Sequence, residues 1–197
     1  MTLAAAQFNL TADLAETRHR RANVGSGICP LAEYTNVDRD QSATNVDIVA
    51  AVPPLPFETA SLDDIYAGHF VEHLTPEEAS VFLTECHRCL VPGGRLGIVV
   101  PDTREIVRRY LRGGADYVEF PEGTRNHIAD LDAVCRLFLY STTLGQSTPH
   151  RWSYDQLTLF RLMERHGFDV IGEIDRMRDV RIAVHSWYSF GLDSVRK

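Results

Sequence analysis

Two short apolar runs, residues 61–67 and 96–100, flank a segment that opens Thr75-Pro76-Glu77-Glu78. Thr at a cap, Pro at the first helical position and Glu three residues after the Thr predict a helix running through Leu83 and Cys86 to Leu90. A strand, a helix and a second buried-type strand are the parts of a parallel pair, since only a long crossover returns the chain to the same end of a sheet. The alternation continues on both sides. Residues 21–24 predict a short polar strand ended by Gly25-Ser26-Gly27, residues 34–38 a second strand and residues 46–52 a third. Pro53, Pro54 and Pro56 then exclude helix or central strand. A helix is expected over 103–111, with an acidic residue near a Thr cap, and another from Ser153 to a C-terminal Gly167. A short capped helix is expected over 11–16. Helical spacing over 128–140 puts Leu131, Val134, Cys135, Phe138 and Leu139 on one face. Residues 168–174 and 182–190 close the chain as two strands near in sequence. The expected class is α/β, a Rossmann-like, mostly parallel sheet with helices on both faces and an antiparallel C-terminal edge.

Ligands of such sheets sit beyond the carboxyl ends of the strands, where strand order reverses. Three features gather there: the Gly25-Ser26-Gly27 turn after the first strand, Asp38 at the end of the second, and Gly68-His69 after the fourth. Glycines let backbone approach a bulky ligand, and a carboxylate at a strand end can accept both hydroxyls of a ribose. A dinucleotide fingerprint needs a third glycine where Pro30 stands, and an acidic residue much further on than Asp38. There is no phosphate loop. What remains is a ligand with a ribose and no pyrophosphate.

Several segments occur in series: Asn23-Val24-Gly25-Ser26-Gly27, Tyr34-Thr35-Asn36-Val37-Asp38, Leu55-Pro56-Phe57, residues 61–67, Glu72-His73-Leu74, and residues 85–96 with Pro92-Gly93-Gly94. Together they resemble the class I S-adenosylmethionine-dependent methyltransferases, over residues 23–110. Residues 150–155 and His166-Gly167-Phe168 look like that family's last helix and following strand. The resemblance implies S-adenosyl-L-methionine as cofactor and S-adenosyl-L-homocysteine as product. It implies that Gly25, Ser26 and Gly27 pass under the methionine part, that Asp38 holds the ribose hydroxyls with Arg39 beside the adenine, that Ala51 and Val52 offer backbone to the adenine edge, and that Gly68 and His69 line the methionine and acceptor side. Cys29 stands where the family has its third glycine, and Ala51 where it often has an acidic residue. Only ten residues separate Gly27 from Asp38, too few for a crossover helix plus a strand. The first crossover helix is therefore expected to be short or missing.

A hydroxyl acceptor benefits from a base near neutral pKa, and histidine is the usual one. His150, just before a helix and near Trp152 and Tyr154, is the first candidate, followed by His69 and His127. Trp152, Trp187, Tyr188 and Phe190 read as core or as acceptor-pocket walls. His69-x-x-Glu72-His73 matches a metal-protease spacing, but no third protein ligand is evident, so no metal is expected. Cys86-x-x-Cys89 lies inside a helix without a second pair and reads as core.

The chain of 197 residues is read as one domain, with residues 113–150 as an acceptor-site insertion. Its net charge of -7 disfavours a polyanion partner. Arg18, Arg20 and Arg21, like Arg104, Arg108, Arg109 and Arg112, read as solvated faces. The N-terminus is not a secretory signal and no run spans a bilayer, so the cytoplasm, with reduced thiols, is the expected location. The expected partner is a small-molecule acceptor, a sugar or specialised metabolite, with neither nucleic acid nor membrane; a homodimer is left open. The competing readings are a non-catalytic cofactor-binding or interaction module of the same fold, and a metal hydrolase using His69, Glu72 and His73.

Overall fold

A computed structural model describes residues 20–43, 45–113, 117–119, 125–127, 141–143, 146–174 and 188–197. The helices expected over 11–16 and 128–140, together with Cys135 and Trp187, lie outside the described residues. The strands are β1 Arg21–Val24, β2 Thr35–Asp38, β3 Ile48–Val49, β4 Leu62–Gly68, β5 Leu90–Pro101, β6 Tyr117–Glu119, β7 Arg125–His127, β8 Ser141–Thr143, β9 Gln146–Thr148, β10 Phe168–Glu173 and β11 Ser189–Arg196. The helices are α1 Pro76–Cys89, α2 Thr103–Arg112 and α3 Gln156–Arg165.

Seven strands form one sheet in the order β10-β11-β5-β4-β1-β2-β3. β1 to β5 are parallel, while β11 runs antiparallel to both β5 and β10. This is the expected Rossmann-like sheet with an antiparallel C-terminal edge. β6 pairs with β7 and β8 with β9 as separate antiparallel pairs. The chain leaves β1 toward β2 and β3, then returns through β4 on β1's other side. Strand order thus reverses between β1 and β4, which opens a crevice at their carboxyl ends.

One sheet face packs Ala22, Val24, Ile65, Ile98 and Val100 against Phe82, Leu83 and Cys86 of α1 and Leu159 and Met163 of α3. On the other, Tyr66 and Val99 meet Tyr34 and Ile174. Cys86 and Cys89 are core residues, fully buried, and burial pushes both thiols up. α1 starts where the sequence predicts: Thr75 Oγ1 accepts from Glu78 N and Thr75 N donates to the Glu78 carboxylate. Thr75→Ala removes one half of this box and is expected to cost about 1 kcal/mol, read as a shifted urea midpoint at unchanged slope.

No helix separates β1 from β2; residues 25–34 are turns. A buried side-chain network holds them in its place. Asn36 Oδ1 accepts from Asn23 Nδ2 and from Leu31 N, both at 2.9 Å, while Asn36 Nδ2 donates to the Leu31 and Tyr34 carbonyls and to Asp47.

Several boundaries differ from expectation. β3 shrinks from residues 46–52 to two residues, because it pairs on one side only and the prolines after it bring no N–H. β5 begins at Leu90, with Pro92-Gly93-Gly94 bulging out between the pairings of Leu62 with Leu90 and Asp64 with Arg95. Side chains of Asp102 and Asp155, not a Thr or Ser, cap α2 and α3. Of the strand expected over 182–190, residues 182–187 lie outside the described residues; Ser189 and Phe190 open β11, which pairs with β5 and runs on to Arg196.

Candidate active site

The turn after β1 is tied to β2 by backbone. Gly25 N and Ser26 N both donate to the Val37 carbonyl, at 2.9 and 3.2 Å. Gly27 N donates to Asp38 Oδ2 at 2.8 Å, and Asp40 N to Asp38 Oδ1 at 2.9 Å. The loop and the carboxylate therefore lie side by side. Both glycines have positive φ, 68° and 49°, which disfavours any side chain. A Cβ on Gly25 would come within 2.4 Å of the Phe70 ring, so Gly25 also makes room for Phe70 beneath the loop; a Cβ on Gly27 would meet nothing within 4 Å.

These residues fit an adenosyl group. There is open space above Gly27, beside a half-buried carboxylate whose oxygens each keep a second lone pair. Ser26 is fully buried and its Oγ has no hydrogen-bond partner among the described residues. Arg39 and Ala51 are exposed, and Val52 packs partly into the core. The Cys29 position is buried and turns the chain back, with Cys29 N bonded to Ser26 O.

Gly68 ends β4, buried, and His69 follows with φ 52°. His69 Nδ1 bonds Glu72 Oε1 at 3.1 Å, and its Nε2 meets Ser189 Oγ at 3.3 Å. An ionised Glu72 accepts only, so Nδ1 carries the proton and Nε2 receives the Ser189 hydroxyl. Burial works to raise the Glu72 carboxyl, but the bond from His69 and the nearby His73 and His150 hold it down at about 2.

Glu72 and His73 sit on a 3₁₀ turn, Val71–His73, rather than on an α-helix, so His69 and His73 do not form the one-faced pair that the protease spacing requires. A different histidine joins them. The Glu72 carbonyl accepts from Arg151 N and Trp152 N, at 2.8 and 3.1 Å, and Arg151 pairs with Glu78 at 2.6 Å. This clamp lays the His150 ring 4.9 Å from the His73 ring. The third ligand that the sequence does not offer is thus supplied: donor atoms of Glu72, His73 and His150 all lie within 4.8 Å of one another. The only sequence signal for it was His150 ahead of the α3 cap. The Tyr154 hydroxyl is buried, and burial and the Glu72 charge raise its pKa. His127 belongs to β7. Trp152 is half-exposed and Tyr188 buried.

A family model described as a methyltransferase domain matches residues 14–98. The chain has the fold of the class I S-adenosylmethionine-dependent methyltransferases. No curated protein sequence matches it. Among solved structures it is similar in fold to an S-adenosylmethionine-dependent methyltransferase from Mesorhizobium loti, at 17% identity over 95% of each chain with TM-score 0.53. A protein from Pyrococcus horikoshii OT3 shares 16% identity over 95% of this chain and 86% of that one, with TM-score 0.57. The magnesium protoporphyrin IX methyltransferase from Synechocystis PCC 6803, with SAH bound, shares 13% over 95% and 78%, with TM-score 0.50. Among the described residues no helix is long and apolar enough to cross a membrane.

Proposed function

We propose that this chain is an S-adenosylmethionine-dependent methyltransferase that acts on a small-molecule hydroxyl acceptor, such as a sugar or specialised metabolite, that approaches from the side of His69, Glu72, His73 and His150. The observation that carries the reading is the bond from Gly27 N to Asp38 Oδ2, which sets an open glycine turn against a ribose-binding carboxylate. When bound, the cofactor supplies a methyl group on a sulfonium, already a good leaving group. The chain's own work is alignment, worth up to about 7–11 kcal/mol in well-oriented systems. Asp38 takes the ribose hydroxyls, the Gly25–Gly27 backbone fixes the methionine end, and Arg39, Ala51 and Val52 border the adenine. Gly68 brings β4 to the crevice, and His69, held between Glu72 and Ser189, shapes the acceptor side. The acceptor's proton is taken up at the cluster that includes His150. An open surface groove of about 460 Å³, lined by Thr103, Arg104, Ser153 and Tyr154, runs between α2 and α3.

Gly27→Ala is expected to cost about 1 kcal/mol of stability through its positive φ, and to weaken S-adenosylmethionine binding by about tenfold because the methyl enters the ligand space. Gly25→Ala costs more stability, because Phe70 must also move. Calorimetry and thermal melts on the two variants check both. The activity itself is tested with methyl-labelled S-adenosylmethionine and a panel of sugars and hydroxylated metabolites. Label transfer with release of S-adenosylhomocysteine is expected. Tight cofactor binding without turnover over the whole panel would favour the non-catalytic module instead.

A further inference from the structure

We propose that Glu72, His73 and His150 form a binding site for one divalent transition-metal ion. Three observations meet there. The donor atoms of the three side chains already lie within 4.8 Å of one another, although His150 comes from a distant part of the chain. Glu72 is 1% exposed, and its Oε2 has no hydrogen-bond partner among the described residues. A buried, unpartnered carboxylate oxygen is costly, and a cation in its plane removes that cost. Finally, His73 Nδ1 lies 3.2 Å from the Pro149 carbonyl, so Nδ1–H donates and Nε2 presents its lone pair.

The surroundings behave as a supporting shell. His69 donates to Glu72 Oε1, leaving Oε2 for the ion, and Ser189 fixes the other side of the His69 ring. The backbone bonds from Arg151 and Trp152 to the Glu72 carbonyl hold His150 in place. Two imidazoles and one carboxylate select zinc, cobalt, iron or manganese over magnesium or calcium, which prefer all-oxygen sites. Three protein ligands leave a position open, as catalytic sites do. Around a tetrahedral ion with bonds of about 2.0–2.1 Å the donors close to about 3.3 Å, a contraction that side-chain rotation supplies.

This site rests on the reading of the cluster as the acceptor side, and it changes what His150 does there: the ring binds the ion rather than the proton. An acceptor hydroxyl in the open position is made more acidic. It releases its proton to water, and its oxygen takes the methyl group as the carbon–sulfur bond breaks.

The test uses the full chain, stripped with chelator and titrated with Zn²⁺ and, in parallel, with Mg²⁺ and with S-adenosylmethionine. One Zn²⁺ per chain is expected, with little or no Mg²⁺ binding. The substitutions Glu72→Gln, His73→Ala and His150→Ala should each weaken Zn²⁺ at least about tenfold, with S-adenosylmethionine affinity kept within about twofold. His150→Ala alters a half-buried ring just before α3, so it tests the site even where Glu72→Gln fails to fold. Co²⁺ absorption bands that vanish in His150→Ala give a readout independent of affinity. No saturable Zn²⁺ binding, or Zn²⁺ binding untouched by His73→Ala and His150→Ala, overturns the site. Loss of S-adenosylmethionine binding by the wild-type chain overturns the cofactor reading and leaves the metal result to stand by itself.

Discussion

Asp38→Ala is expected to weaken S-adenosylmethionine binding by at least about 100-fold, since hydrogen bonds to a charged group contribute about 1.5–3 kcal/mol each and the proposed site gives the carboxylate two ribose hydroxyls. The same change removes the acceptor of Gly27 N and Asp40 N. Both amides lie in half-buried turns that water can reach, so the stability loss should stay near about 1 kcal/mol. Asp38→Asn keeps the shape and loses the charge, and its affinity should fall between the two. Calorimetry with the cofactor and with S-adenosylhomocysteine, alongside thermal melts, separates lost recognition from lost fold. Affinity within about twofold of wild type in Asp38→Ala would place the ribose elsewhere.

The second large effect is on stability. Asn36→Leu should destabilise the chain by about 3 kcal/mol, because it takes the acceptor from Leu31 N and from one N–H of Asn23 Nδ2, which keeps its bond to the Cys29 carbonyl, and removes the three contacts that the two Asn36 Nδ2 hydrogens share. In a chain of this size that is a fall of about 6–12 °C in Tm. Cofactor affinity should fall too, as the same bonds hold the turns between Gly25 and Asp38. Leu111, 76% exposed, is the control: Leu111→Ala should stay within about 0.5 kcal/mol. An Asn36→Leu protein as stable as this control would show that the missing crossover helix is replaced by something other than the Asn36 network.

What was legible in the sequence was local. Thr75, Pro76 and Glu78 announce α1 because a capping box is written within four residues. Gly25, Gly27 and Asp38 announce the crevice because a turn and a strand end are each short-range features, and the ten-residue gap between them already excludes a helix. What was not legible depends on distant contacts. Asn36 looks like a polar residue in a weak strand; only the fold buries it against Asn23 and Leu31. His150 reads as a lone histidine before a helix, and nothing near it in sequence shows that Arg151 and Trp152 bond back to the Glu72 carbonyl. Similarly, the His69-x-x-Glu72-His73 spacing suggests a helical pair, whereas the positive φ of His69 and the single 3₁₀ turn divide those residues between two roles.

The proposed activity depends on one placement: an adenosyl group held between the turn after β1 and the end of β2. A crystal structure of the chain soaked with S-adenosylhomocysteine tests it most directly. Density for the ribose with its hydroxyls in hydrogen-bond range of the Asp38 carboxylate, and for the homocysteine chain over Ser26 and Gly27, is the predicted result. Product bound with its ribose away from Asp38, or a crevice that stays closed at ligand concentrations well above the measured Kd, would contradict it.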